Sequence, residues 1–436
     1  MEAKSVFKYI KDLLTIAGPI IMGNLGFILI GVGDIIVAGR HSTDTFAAIS
    51  IAAAIVNCIM TLAIGMTSAI SPLLSNYRGE NKAIKKYFYP SVRFALTLGG
   101  ISSLIILLFI PLIPVMGFEK QLIFPVQQYM FISALSTFGG ALHHSMKEFL
   151  QAFEIVFFPN VLTIFCVFLN LALNIIFVFG WGIIPSMGVA GLAIASLIVR
   201  YFMGFALYIY CHTQMKLKNY SEKGYYKSLI KIGLPISAAV LVEFVAFNSI
   251  AILLGRIAGI YAAAQNLVCT IITVTFMIPF AISNAIAVKV GFANGAKNYA
   301  DLRNYSYTGI ILALGFICLS SSILMLFPEF ILSVFTKDTT LIKIVMPLII
   351  ILVIFQFFDG LQISLAGICK GIKQTKIVTV ANFLAYWGVS IPVGCYLGLK
   401  SDMKLTGFWI GLFAGSVILC VIMALKLRKY LSESAQ

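Results

Sequence analysis

Twelve apolar runs of twenty or more residues follow one another along this chain of 436 residues, separated by polar stretches. They cover roughly Leu13–Ala38, Phe46–Leu74, Tyr89–Val115, Ile123–Met146, Ile155–Phe179, Gly188–Tyr210, Leu229–Leu254, Tyr261–Val290, Tyr305–Phe327, Leu341–Ile368, Ile377–Leu399 and Leu405–Leu425. A helix needs about 20 such residues to cross a bilayer. Hydrocarbon offers the backbone no hydrogen-bond partner, so each crossing segment must be helical. Composition agrees, with 60% hydrophobic and only 11% charged residues, where soluble domains carry about 25% charged. An ordinary cytosolic enzyme, a disordered tail and a fibrous repeat are excluded. The expected fold class is an all-α integral membrane protein with twelve transmembrane helices.

The formal charge of +15 would suggest nucleic acid in a soluble protein. Here the basic residues sit between apolar runs, so they report topology, and no nucleic-acid partner is expected. With the termini on one side and the runs alternating, that side collects 23 of the 31 lysines and arginines and the other side 7. Arg200 is left inside a span, away from either end. The bias predicts cytoplasmic termini, an even number of crossings and a multi-pass protein of the plasma (inner) membrane. No small-residue cleavage site follows a short apolar stretch, so no cleaved signal peptide is expected. The 8 cysteines lie scattered, nearly all within apolar runs and with no CxxC spacing. They read as small packing residues rather than disulfide or zinc ligands.

The polar connection from His212 to Lys227 divides the chain almost equally. The halves repeat at an ungapped offset of 216 residues, which superposes Pro19 on Pro235, Gly39-Arg40 on Gly255-Arg256, Ala47-Ala48 on Ala263-Ala264 and Gly79 on Gly295. Six crossings per copy make the copies parallel, related about the membrane normal, a plan common in secondary transporters. The expected organisation is two pseudo-symmetric six-helix lobes, residues 1–218 and 219–436, enclosing a central cleft.

Three acids lie inside spans: Asp34 in the first, Glu243 in the seventh and Asp359 in the tenth. A charge at that depth costs at least about 2.5–3.5 kcal/mol. Arg200 is the only clear base at depth and cannot neutralise all three. The surplus calls for protons, a metal cation or a cationic substrate. The repeat aligns Asp34 with Ile250 and Glu243 with Phe27, so the scaffold is duplicated and the carboxylates are not. Asn170 and Asn174 share a face of the fifth span, as i,i+4 pairs do, either as helix-helix glue or as part of a polar site. Gln356 and Gln362 flank Asp359, and Asn248 follows Glu243. Carboxylate and amide oxygens suit a hard cation such as Na⁺. Phe244, Phe247 and Phe358 are candidates to line a pocket for flat cations, although any one of them reads first as packing. Pro279 sits mid-span and is the best candidate bending point. His143 and His144 with Glu148 lack HExxH spacing and read as structural. No Walker motif and no GxSxG turn occur. Neither an ATP-driven engine nor an enzyme is expected, and no cofactor.

Several of these residues carry a family resemblance. Pro19, Gly33-Asp34-Ile35-Ile36-Val37-Ala38-Gly39-Arg40 and Ala47-Ala48 resemble the first spans of the MATE multidrug and toxic compound extrusion family. Asn170 and Asn174, Phe179-Gly180 and Gly188-Val189-Ala190-Gly191 resemble its fifth and sixth spans. Pro235 with Glu243, the run Phe355-Gln356-Phe357-Phe358-Asp359-Gly360-Leu361-Gln362, Tyr386-Trp387, Pro392 and Gly407-Phe408-Trp409 resemble its NorM-type branch. The resemblance spans nearly the whole chain. It implies a V-shaped, alternating-access exporter of bulky, often cationic organic compounds, driven by inward Na⁺ and/or H⁺ and working as a monomer. By position it implies cation coupling at Glu243, Asp359 and Asp34, with Glu243 and Asp359 as the Na⁺ ligands. Asn170 and Asn174 then form a polar cluster for substrate or protons. A flippase for lipid-linked oligosaccharides, of the same superfamily, is the alternative. Such proteins favour basic cavities, and the candidates here are acidic. An intramembrane enzyme would need a nucleophile-base or metal constellation, which is not found.

Overall fold

A computed structural model describes residues 3–215, 217 and 224–433. The 218/219 lobe boundary, the linker lysines Lys216, Lys218 and Lys223, and the Lys4 side chain lie outside that description. Among the described residues, 11 helices are long and apolar enough to cross a membrane. They are α1 (Val6–His41), α2 (Thr43–Gly79), α3 (Ile84–Met116), α5 (Phe157–Phe179), α6 (Val189–Met215), α7 (Tyr225–Ile257), α8 (Gly259–Gly295), α9 (Tyr299–Leu326), α10 (Thr339–Gly371), α11 (Thr375–Lys400) and α12 (Lys404–Tyr430). The remaining expected crossing is α4, Lys120–Ala152, whose 33 residues are long enough to span. It is the less apolar one because of where it sits. Ser133, Ser136, Thr137, Ser145, Glu148 and Gln151 on it are all buried, and it packs on α2, α3 and α6. A helix enclosed by protein needs little lipid-facing apolar surface. Elsewhere large apolar side chains stay exposed, Ile311 and Leu326 among them, as helices bathed in lipid require.

The helix ends follow local chemistry. Ser42 alone connects α1 to α2, and its Oγ accepts from the Thr45 amide at 3.0 Å, an N-cap. Asp338 caps α10, its Oδ1 accepting from the Thr340 amide at 2.8 Å. α11 is irregular: π-type turns at Tyr386–Ser390 and Tyr396–Lys400 flank Pro392. Glycines let α12 approach these turns. A Cβ at Gly411 would lie 2.5 Å from the Ser390 carbonyl oxygen, and one at Gly407 would lie 2.5 Å from the Gly398 nitrogen. Close backbone approach over small residues is how helices associate without a hydrophobic drive.

The chain forms two compact units. The N-terminal unit comprises Pro19–Arg78 and Lys82–Ser237; the C-terminal unit comprises Met1–Gly18, Gly79–Asn81 and Ala238–Gln436. Besides the short Gly79–Asn81 segment, the changeovers fall at Gly18/Pro19 in α1 and Ser237/Ala238 in α7, beside the repeat-related Pro19 and Pro235. Within the N-terminal unit α4 packs on α6, α3 and α2, α2 on α3, and α5 on α6. Six helices later the same pairings recur in the C-terminal unit: α10 on α12, α9 and α8, α8 on α9, and α11 on α12.

Candidate functional site

The N-terminal unit holds one acid in a nest of amides. Asp34 projects from α1. On α5 the i,i+4 spacing turns Asn170 and Asn174 to one face, and both are buried. Asn174 Nδ2 donates to Asp34 Oδ1 at 2.6 Å and to Asn170 Oδ1 at 3.0 Å. Ser196 Oγ, from α6, donates to Asp34 Oδ2 at 3.3 Å. Asn174 Oδ1 and Asn170 Nδ2 are buried with no hydrogen-bond partner among the described residues. One orphan acceptor and one orphan donor suit a water or a polar ligand group. Rotating the Asn174 amide would set its oxygen against the Asp34 carboxylate, so an ionised Asp34 selects the observed orientation. One turn beyond Ser196, Arg200 donates from Nη1 to Ser136 Oγ on α4 at 2.7 Å. Its charge acts on Asp34.

The C-terminal unit holds two acids. Glu243 on α7 and Asp359 on α10 lie near enough that their charges repel, and Tyr386 of α11 directs its hydroxyl at Glu243. Asp359 is 6% exposed, and its Oδ1 accepts from Gln362 Nε2, one turn on, at 3.1 Å. Two bonds clamp α11 onto α7 around the Glu243 turn. Asn382 Nδ2 donates to the Ala239 carbonyl at 3.2 Å, and Trp387 Nε1 donates to the Val242 carbonyl at 3.3 Å. Tyr386 opens the first π-type turn of α11, a geometry frequent at functional sites. An aromatic wall backs this region. Phe247 meets the Tyr386, Trp409 and Phe355 rings at centroid distances of 6.0, 6.3 and 6.5 Å. Trp409 Nε1 donates to Gln265 Oε1 at 2.9 Å, which fixes the indole. The nearest base in electrostatic reach of Glu243 is Lys370, buried near the end of α10.

Beside Asp359, Gln356, Thr275, Pro279 and Ser320 line a cavity of about 10 Å³, room for about one water molecule. Gln356 Oε1 accepts from Ser321 Oγ at 3.4 Å, while its Nε2 is buried with no partner among the described residues. Pro279 thus shares a cavity with an acid, and α8 runs past it without interruption.

The structure gathers Asp34, Asn170 and Asn174 in one unit, and Glu243, Asp359, Gln356 and Phe247 in the other. Asn248 stands apart, exposed, its Nδ2 bonded to the Phe244 carbonyl of its own helix at 2.7 Å. Phe358 packs edge-on against Phe413 at 5.6 Å. Phe244 is half-buried beside Glu243. His144 Nδ1 bonds Thr67 Oγ1 at 2.8 Å, a contact between helices. Tyr386, Ser196 and Ser136 were not singled out as site residues from the sequence. For Tyr386 the signal was a hydroxylated ring six residues before a mid-span proline. For the serines, common in any span, there was none.

The MatE family model matches residues 19–176 and 235–396, two segments that begin 216 residues apart, the offset of the internal repeat. Multidrug resistance protein PmpM of Pseudomonas aeruginosa is 28% identical over 443 residues, covering 97% of this chain and 93% of that protein. The "Probable multidrug resistance protein NorM" of Bacillus subtilis is 26% identical over 100% of this chain and 99% of its own. A mutant form of the Vibrio cholerae MATE transporter VcmN superposes with a TM-score of 0.89 at 19% identity, covering 99% and 100% of the two chains, and so shares the fold. A family model that claims both repeats, with relatives matched end to end, leaves one assignment: the chain belongs to the MatE family, in its NorM-type branch.

Proposed function

We propose that this protein is a secondary active multidrug exporter of the plasma membrane. It antiports bulky, often cationic organic compounds against inward Na⁺ and/or H⁺ by alternating access, as a monomer with both termini cytoplasmic. One observation carries the reading: Glu243 and Asp359 lie close enough to repel each other, with Tyr386 against one of them and a single base, Lys370, acting on Glu243 among the described residues. Two carboxylates in a low-dielectric setting repel strongly. They are relieved by a proton or a small hard cation, and again by an organic cation when those leave. Phe247, half-buried beside them, offers a ring face of the kind flat cations favour, while the buried Phe355 and Trp409 rings support it. Asp34, Asn170 and Asn174 serve the proton or substrate side of the cycle. An acidic pair of this kind opposes the pyrophosphate of a lipid-linked sugar. The reading needs no resident cofactor and no covalent chemistry. Dye efflux from proteoliposomes under imposed Na⁺ or H⁺ gradients tests it. Gradient-dependent efflux of cationic dyes is expected; efflux indifferent to both gradients contradicts it.

A further inference from the structure

We infer that Arg200 is a tethered counter-cation for Asp34, filling in the N-terminal unit the electrostatic role that a mobile Na⁺ fills in the C-terminal unit, so that this chain binds Na⁺ in one unit only. The inference rests on the antiport reading above and adds the reason why the two units differ.

Arginine stays charged at any physiological pH, so one inside a span needs an anion or hydrogen-bond acceptors. Arg200 has both. Ser196 and Arg200 lie i,i+4 on one face of α6. The first donates to Asp34 Oδ2 at 3.3 Å, and the second donates to Ser136 Oγ at 2.7 Å. Ser136 Oγ donates its own hydrogen bond to the Ser133 carbonyl at 2.8 Å, which leaves its lone pairs for the guanidinium. α4 is shaped to take this side chain. A Cβ at Gly140 would lie 3.6 Å from Arg200 Cδ, and one at Gly139 would lie 2.9 Å from the Arg200 carbonyl carbon. The charged and titratable groups brought together are Asp34 from α1, Arg200 from α6 and Tyr129 from α4; α5 contributes only the neutral Asn170 and Asn174. With Asp34 ionised the cluster is neutral overall. An alkali cation approaching Asp34 therefore meets a fixed positive charge. A proton, which adds to the carboxyl itself, needs no such separate coordination space.

Equilibrium ²²Na⁺ binding to the purified full-length protein tests this, with Glu243→Gln, Asp34→Asn, Arg200→Lys, Arg200→Gln and the double variant Arg200→Gln/Asp34→Asn. Arg200→Gln is expected to bind one more Na⁺ per chain than the native protein, and the double variant to lose that extra site. Arg200→Lys, which keeps the charge, should retain the native count, a rescue that a purely structural role would not produce. Asp34→Asn alone should leave the native count unchanged, which keeps a readout if Arg200→Gln does not fold. A well-folded Arg200→Gln with the native count, or a native site lost in Asp34→Asn, overturns the inference. A native protein with no Glu243-dependent Na⁺ binding removes the Na⁺ arm of the antiport reading, while the gain in Arg200→Gln still decides the role of Arg200.

Discussion

The two units share a set of helix pairings and differ in their buried charge. In the N-terminal unit Asp34 receives bonds from Asn174 and Ser196 and feels the Arg200 charge. In the C-terminal unit the Glu243 and Asp359 charges repel each other, Tyr386 directs its hydroxyl at Glu243, and Lys370 acts on Glu243. At the repeat offset Asp34 falls on Ile250 and Glu243 on Phe27, both apolar, while Asp359 falls on His143. Duplication thus preserved packing, which depends on the small and apolar residues at helix contacts. It left the polar positions free to diverge, since each needs only local partners. The lesson is a difference in charge balance: one acid beside one arginine in one unit, and two mutually repelling acids with one lysine in reach in the other.

The sharpest way to break this comparison is to neutralise one unit at a time. Glu243→Gln with Asp359→Asn should reduce gradient-driven dye export to the rate of protein-free liposomes while membrane insertion stays intact. Export at the native rate would remove the pair from the mechanism. A smaller effect is expected from the helix that presents Tyr386. Gly411→Ala forces a Cβ against the Ser390 carbonyl, and overpacking of this kind costs about 1–3 kcal/mol. A lowered unfolding temperature in detergent would register it, with α11 losing its seat on α12.

Tyr386→Phe keeps the ring and removes the hydroxyl that faces Glu243. The hydroxyl favours the charged form of Glu243, so its loss should shift cation affinity, read by Na⁺ or proton titration of transport. An unchanged titration would confine the hydroxyl to a structural role. At the small end, Asn248→Ala removes an exposed side chain bonded only to its own helix. Stability and export should stay within about ±0.5 kcal/mol of native, as for ordinary surface changes.

Much of this was readable in advance, for physical reasons that differ by feature. Apolar length alone locates the crossing helices, because the bilayer allows the backbone one solution. α4 shows the limit. Its polar residues are buried among α2, α3 and α6, so its composition understates its place in the fold. The acids stood out because charge at depth is costly. Their partners did not, since Ser196, Ser136 and Tyr386 are unremarkable in any span and only packing reveals what they face. Asn248 follows Glu243 in sequence, but its amide bonds the Phe244 carbonyl of its own helix rather than the acid.

The most direct test of the division between the units is equilibrium binding of a cationic dye in detergent across Na⁺ and pH titrations. If the acid pair serves both ligands, cation binding must weaken dye affinity by the same factor by which dye weakens cation affinity. The expected coupling is about 1–3 kcal/mol, or 5–150-fold, and it should vanish when Glu243 and Asp359 are both amides. Dye affinity that stays flat across both titrations in the native protein would contradict a shared site in the C-terminal unit.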